Sequence, residues 1–196
     1  MKIKLLFFLP LLLMGCLPQT NRPEAATYAK DMQTTYLQYF GAYYAQEGLP
    51  QVVCALDCYS DGLKLTMKGV IEGSGTNLYI SDIFLPAEFA SSPGATMLPE
   101  GEYVADSSGL PMTFLPGKAF EGQITGAYLL RIEDDQLVQY TLLTSGQMQV
   151  RYEGDTAVIH LEAVNSQKQA YTADFRGVMV FQDKSKASTH VRSIRL

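Results

Sequence analysis

The clearest pattern in the chain is an alternation of apolar and polar positions late in the sequence. Met148, Val150 and Tyr152 alternate with Gln147, Gln149, Arg151 and Glu153, and beyond Gly154-Asp155 the residues Ala157, Ile159 and Leu161 alternate in the same way. A period of two marks half-buried strands. A two-residue loop with glycine first suits a type II′ hairpin turn. That turn predicts a register setting Tyr152 opposite Ala157, Val150 opposite Ile159 and Met148 opposite Leu161. A slip of one residue would turn the whole apolar set toward water. A three-residue loop at Ser166-Gln167-Lys168 extends the sheet. It sets Ala163 opposite Tyr171, Leu161 opposite Ala173 and Ile159 opposite Phe175. The three strands then have one apolar face and one wet face, as antiparallel sheets commonly do.

Earlier segments read as shorter strands. Residues 24–44 carry two patterns. Tyr28, Met32, Tyr36, Phe40 and Tyr44 recur every four residues, as on a helix face. Thr34, Thr35 and the dense aromatics favour a pleated surface, and Gly41 weakens a helix interior. The second pattern predicts a strand over 34–44, with a short helix before it left open. Gln51–Tyr59 reads as its hairpin partner. Alternation predicts a strand over 63–68, and others follow at 77–85, where Pro86 ends it, and at 101–105, 112–115 and 126–133. Three prolines predict a long loop over 86–100, and Pro116-Gly117 and Gly122 an irregular crossing. About ten short strands with closely spaced turns give an all-β domain, read as an antiparallel β-sandwich. A lipocalin-like or other closed β-barrel is the alternative.

The N-terminus has a different character. Lys2 and Lys4 precede an almost wholly apolar run from Leu5 to Met14, and Gly15 and Cys16 follow. The run is about ten residues, where a membrane-crossing helix needs roughly 20. A positive start, a short apolar run and a small residue are the parts of an export signal. Leu13-Met14-Gly15-Cys16 resembles the lipobox of bacterial lipoproteins. The resemblance implies cleavage after residue 15, acylation of Cys16 and a membrane hold through several acyl chains. The expected organisation is a signal peptide over 1–15, a lipidated tether over 16–33 and one β domain over 34–196. Leu17-Pro18 puts no Asp at the second mature position, which by the same resemblance implies the outer membrane, periplasmic or surface face undecided.

Loss of Lys2 and Lys4 with the signal takes the formal charge from −5 to −7. An acidic body argues against nucleic acid as a partner, because phosphate backbones demand a basic surface. Lys184, Lys186, Arg192 and Arg195 gather at the end of the chain, where the plain reading is a solvated tail. With Cys16 taken by lipid, Cys54 and Cys58 remain. On a continuous strand they share a face with Cα atoms about 13 Å apart, beyond disulfide reach, so two buried thiols are expected. A tight loop would allow a bond.

Candidate chemistry is sparse. In the predicted register His160 lies on the wet face between Gln149 and Asp174, with Glu162 two residues along. The patch offers weak acid–base or metal-binding chemistry, but the plainer reading is a surface ladder of polar pairs. His190 sits in the tail. Gly73-Ser74-Gly75 lacks the glycine spacing of a nucleophile elbow. No phosphate loop or dinucleotide fingerprint is present, and no cofactor is expected. Twelve Tyr, nine Phe and no Trp fill a core, or form in part a sugar-stacking platform for which Tyr39 and Tyr43 are the candidates.

Several phrases are similar to those of small β-rich cell-envelope lipoproteins of Bacteroidetes: Tyr39-Phe40-Gly41-Ala42-Tyr43-Tyr44, Leu98-Pro99-Glu100-Gly101-Glu102-Tyr103, and Thr144 to Val150 followed by Phe175-Arg176-Gly177. The resemblance implies an envelope location and a compact β fold, with no catalytic residues to carry over. The expected role is a non-enzymatic module that binds a protein or glycan or supports an envelope assembly. The alternative is a periplasmic or surface hydrolase, or a metal-dependent enzyme, with a loop-borne site.

Overall fold

A computed structural model describes residues 31–48, 51–91, 97–186 and 194–195. Cys16, His190, Arg192 and residues 24–30, where the sequence allows a short helix, lie outside the described residues. The described chain holds no α-helix, only short 3-10 turns at Ala45–Glu47 and Ala87–Ser91. Its strands are β1 (Met32–Gly41), β2 (Val52–Ser60), β3 (Leu63–Leu65), β4 (Ile71–Gly73), β5 (Gly75–Leu85), β6 (Gly101–Ala105), β7 (Thr113–Phe114) and β8 (Lys118–Phe120). They continue with β9 (Gln123–Thr125), β10 (Ala127–Glu133), β11 (Gln136–Glu153), β12 (Thr156–Asn165), β13 (Ala170–Gly177), β14 (Val180–Asp183) and β15 (Ile194–Arg195).

The fold is a β-sandwich made by one large sheet folding over on itself, with two small sheets, β3-β4 and β15-β9-β8, beside it. One layer is β1-β2-β5-β10 with the first half of β11. The other is β6, the second half of β11, β12 and β13. Most neighbours are antiparallel, but β1 runs parallel to β13 and β14, and β6 parallel to β7. The large sheet is therefore mixed. Its order is not the sequential antiparallel meander of a lipocalin-like barrel.

Two irregularities let strands change partners. Cys54 pairs with Ile83 and Leu56 with Ile80, so β5 carries one extra residue, and Asp82 there has φ 48°. Before this bulge β5 pairs with β10, and after it with β7. The buried polar groups of the bulge are satisfied locally. Tyr44 Oη and Ser81 Oγ each donate to Asp82 at 3.0 Å, and Gly126 N donates to Ser81 Oγ at 3.1 Å. In β11 the register shifts between Leu143 and Ser145. Up to that point β11 pairs with β10, and beyond it with β12 on one edge and β6 on the other.

The core has two parts. Between the layers lie Leu37, Leu56, Ile80, Tyr103, Met148, Leu161 and their neighbours. On the outer side of the first layer a second cluster gathers Val53, Tyr59, Tyr79, Tyr128 and Leu130 under Leu63 and Ile124. Each large apolar side chain so buried contributes roughly 1.5–3 kcal/mol. β2 and β5 are thus buried on both faces. Asp57 is 1 % exposed in this setting, and its carboxylate accepts from Tyr59 Oη and from Asn77 Nδ2, both at 2.7 Å. Burial of a carboxylate is tolerable only with such partners.

The predicted hairpin registers are observed pair for pair. Gly154 has φ 62° while Asp155 does not share the positive sign, consistent with a type II′ turn. Lys168 takes φ 64° at the end of the three-residue loop, which buried Asn165 organises by accepting from the amides of Gln167 and Gln169. Other expectations need correction. The first strand starts at Met32, inside the expected tether, and ends at Gly41 (φ 69°) rather than Tyr44. The strand over 63–68 stops at Leu65, and the crossing at 116–126 contains the β8-β9 hairpin. The tail is not merely solvated: β14 pairs with β1, and β15 with β9.

Cys54 and Cys58 are free, buried and on the same face of β2, and burial pushes both thiols up to about 12. An exposed-thiol reagent at neutral pH should therefore leave both unmodified in the folded protein and react with both after denaturation. Gly146 gives a second test. A Cβ there would lie 2.3 Å from Glu162 O, with φ 152° besides. Gly146→Ala should cost about 1–3 kcal/mol in denaturant melts by forcing β11 from β12.

Candidate functional site

The alternation that drives β11, β12 and β13 into the core by one set of side chains necessarily exposes the other set. β6 joins the same surface, because Tyr103 is drawn inward opposite Met148. The loop before β6 is held by three bonds. Tyr103 Oη donates to Pro99 O at 2.8 Å, Tyr152 Oη to Leu98 O at 2.9 Å, and Tyr152 N to Glu100 Oε1 at 2.7 Å. Both phenols are raised above their usual range by burial, Tyr152 to about 12.

The result is a polar face crossed by rows of side chains. Glu102, Gln149, His160 and Asp174 stand opposite one another across four strands. At 4.7–4.9 Å per strand the row spans about 14 Å. A second row runs Val104, Gln147, Glu162, Thr172. His160 ties the two together: Nδ1 lies 2.7 Å from Asp174 Oδ1, and Nε2 lies 3.4 Å from Glu162 Oε1. Gln147 Nε2 donates to Glu162 Oε2 at 3.4 Å, and Arg176 pairs with Glu153 at the end of the face. The sequence therefore placed His160, Asp174, Glu162 and Gln149 together correctly. It missed Glu102, because β6 is brought beside β11 by a connection of thirty residues.

Hydrogen bonding to Asp174 raises the His160 pKa above its ordinary value, burial opposes this, and Glu162 adds to the rise. The imidazole is 43 % exposed, so water screens the pairing. Among the described residues no group of three or more His, Cys, Asp or Glu is placed to hold a metal ion. The polar groups are spread along a flat face rather than aimed at one point. That layout suits hydrogen bonding to an extended polar partner better than proton transfer at a single atom.

Two shallow hollows flank the rows where β11 shifts register. One, of about 530 Å³, is lined by Ser145, Gly146, Gln147, Glu162, Val164 and Tyr171 among others. The other, of about 360 Å³, includes Gln139, Tyr140, Asn165, Gln167 and Gln169. The aromatic pair proposed from sequence is not built on one strand. Tyr39 packs on Phe181 with ring centroids 6.2 Å apart, and its hydroxyl is raised first by burial and then by Cys54 and Asp183. Tyr43 lies beyond the end of β1 and meets Tyr44 edge-on at 5.1 Å. The strand parity that would have aligned them ends at Gly41.

Compared with family models, curated proteins and solved structures, the chain matches none.

The titration of His160 is a direct check on this geometry. Its folded value lies above the unfolded one, so its stabilising pairing is full below about pH 6.5 and fades as pH rises through the folded value. NMR should place the imidazole pKa above 6.5, and Asp174→Asn should lower it. An unshifted imidazole in both chains would contradict the pairing.

Proposed function

We propose that the chain is a lipid-anchored β domain of the bacterial outer membrane. In this reading it acts as a binding or assembly module without catalysis, and it meets a protein or glycan partner through the polar face of β6, β11, β12 and β13. The location rests on the Leu13-Met14-Gly15-Cys16 motif and the polar, proline-bearing stretch after it. The binding reading rests on the row Glu102, Gln149, His160, Asp174. Donors and acceptors there are regularly spaced on a rigid sheet, and the residues beneath them are core.

The physical case is one of preorganisation. A side chain on a central strand has its backbone fixed by ladders on both edges. Binding through it orders little that is not already ordered, which lowers the entropic cost of association. Gln147 and Gln149 offer both donors and acceptors, as carbohydrate hydroxyls or a polar protein surface require. Glu102, Glu162 and Asp174 add acceptors for hydroxyls or cationic groups.

Two measurements test this. Mass spectrometry of the protein from membranes should find residues 1–15 removed and Cys16 acylated; an unmodified Cys16 in protein recovered without detergent would contradict the anchor. For the face, a glycan array and capture from envelope extract should be run with the parent chain and with Gln149→Ala/His160→Ala. The double substitution should abolish capture while changing stability by no more than about 0.5 kcal/mol, as surface positions do. Equal capture by both chains would remove this face from the account.

A further inference from the structure

We propose that the tip of the β3–β4 hairpin enters the headgroup layer of an anionic lipid surface and fixes how the domain stands on it. The proposal rests on the lipid-anchor reading for its setting, and on the hairpin itself for its chemistry.

The hairpin is firmly built at its base. Leu63 is 7 % exposed in the outer core, and Leu65 and Ile71 pack against the same cluster. The backbones at Gly62 and Gly73 approach so closely that a Cβ on Gly73 would lie 2.0 Å from Gly62 O. Asp135 and Ser74 bind the base to the turn between β10 and β11, through Gly73 N to Asp135 Oδ1 and Asp134 N to Ser74 Oγ. The tip is ordered too. Thr66 N donates to Val70 O at 2.8 Å, Gly69 N to Thr66 O at 2.9 Å, and Val70 N to Thr66 Oγ1 at 3.2 Å.

This rigid turn presents Met67 with full exposure and Val70 at 53 %. Neither residue contributes to the turn by its side chain; the turn's own demand is met by Gly69 at φ 77°. Lys68 stands between them and the tip residues 66–70 contain no acid, while Lys64 lies opposite Glu72 lower in the hairpin. In a body of net charge −7 after removal of the first fifteen residues, the tip is an apolar projection with one cation, Lys68, and no acid of its own. Apolar side chains beside lysines suit the boundary between headgroups and acyl chains, where the methylenes lose water and the ammonium groups meet phosphate.

The topology places the hairpin where such contact is wanted. Met32, the first residue of β1, pairs with Ser60, the last of β2, and β3 begins three residues later. The chain leading from Cys16 therefore joins the fold beside the base of the hairpin. Fifteen residues separate Cys16 from Met32, which extended would reach about 50 Å, so the tether permits the tip to touch the surface without dictating that it does. A second, weaker contact is what would turn a loose tether into a set orientation.

The chain contains no tryptophan, so a single introduced indole reports one place. Full-length Met67→Trp should be mixed with phosphatidylethanolamine–phosphatidylglycerol vesicles and, separately, with phosphatidylcholine vesicles. Ser108→Trp, in the exposed turn between β6 and β7, is the control. The expected result is a blue shift and quenching by brominated acyl chains for Met67→Trp on anionic vesicles only. Both should be absent for Ser108→Trp and lost when Lys68→Gln is added. No shift at position 67, or an equal shift at 108, would overturn the proposal. Mass analysis of Cys16 in the same sample keeps the two readings apart. Acylated Cys16 with a water-exposed indole refutes the tip and leaves the anchor. Unmodified Cys16 with a lipid-quenched indole does the reverse.

Discussion

β2 and β5 have no face to give to water, and the rest of the molecule follows from that. Leu56 and Ile80 look into the space between the layers, while Val53, Tyr59 and Tyr79 look the other way into a second core. A strand buried on both faces needs cover on both. The second layer supplies it on one side. The small sheets, Ile124 and the turn after β1 supply it on the other. A buried strand pair also leaves polar residues stranded unless they are partnered. Hence Asp57 sits between Tyr59 and Asn77, and the bulge at Ser81-Asp82 closes on Tyr44 and Gly126.

The second layer inherits the opposite condition. Its inner residues complete the core, so its outer face is free of structural duty. His160 and Gln149 gain little by being where they are, and their replacement costs the fold little. This division makes the wet face a natural place for recognition. The scaffold that holds it is anchored by contacts that do not involve it. β11 connects the two regimes. Its first half forms the exposed rim of the layer that holds β2 and β5, and its second half belongs to the other layer, with the register shift at Leu143–Ser145 between them.

How much of this the sequence discloses depends on where each signal resides. The β11–β12–β13 hairpins are legible because pattern and turn agree locally: Gly154-Asp155 fixes the loop, and only one register keeps Val150 against Ile159. His160, Gln149, Glu162 and Asp174 come with it. The run Val52 to Leu56 carries the mark of a fully buried strand, but Asp57 obscures it, since nothing local shows that Asn77 will satisfy the carboxylate. Residues 136–142 show no alternation because they are largely exposed at the rim of the sheet. Strands as short as β8 and β15 are made by their partners, so their own residues hold no period to read. The limit of Tyr39 and Tyr43 as a pair lies in Gly41, whose left-handed turn breaks the parity a continuous strand would have kept.

The asymmetry between the layers is most directly measured by substituting successive residues and reading stability. Val52→Ala, Val53→Ala and Leu56→Ala sample both faces of β2, and Ile159→Ala, His160→Ala and Leu161→Ala sample both faces of β12. Losses should appear at every β2 position, reaching about 2–5 kcal/mol at Leu56. In β12 they should fall on Ile159 and Leu161 while His160→Ala stays within about 0.5 kcal/mol. An alternating pattern in β2, with Val53→Ala as harmless as His160→Ala, would contradict the doubly buried layer on which the rest is built.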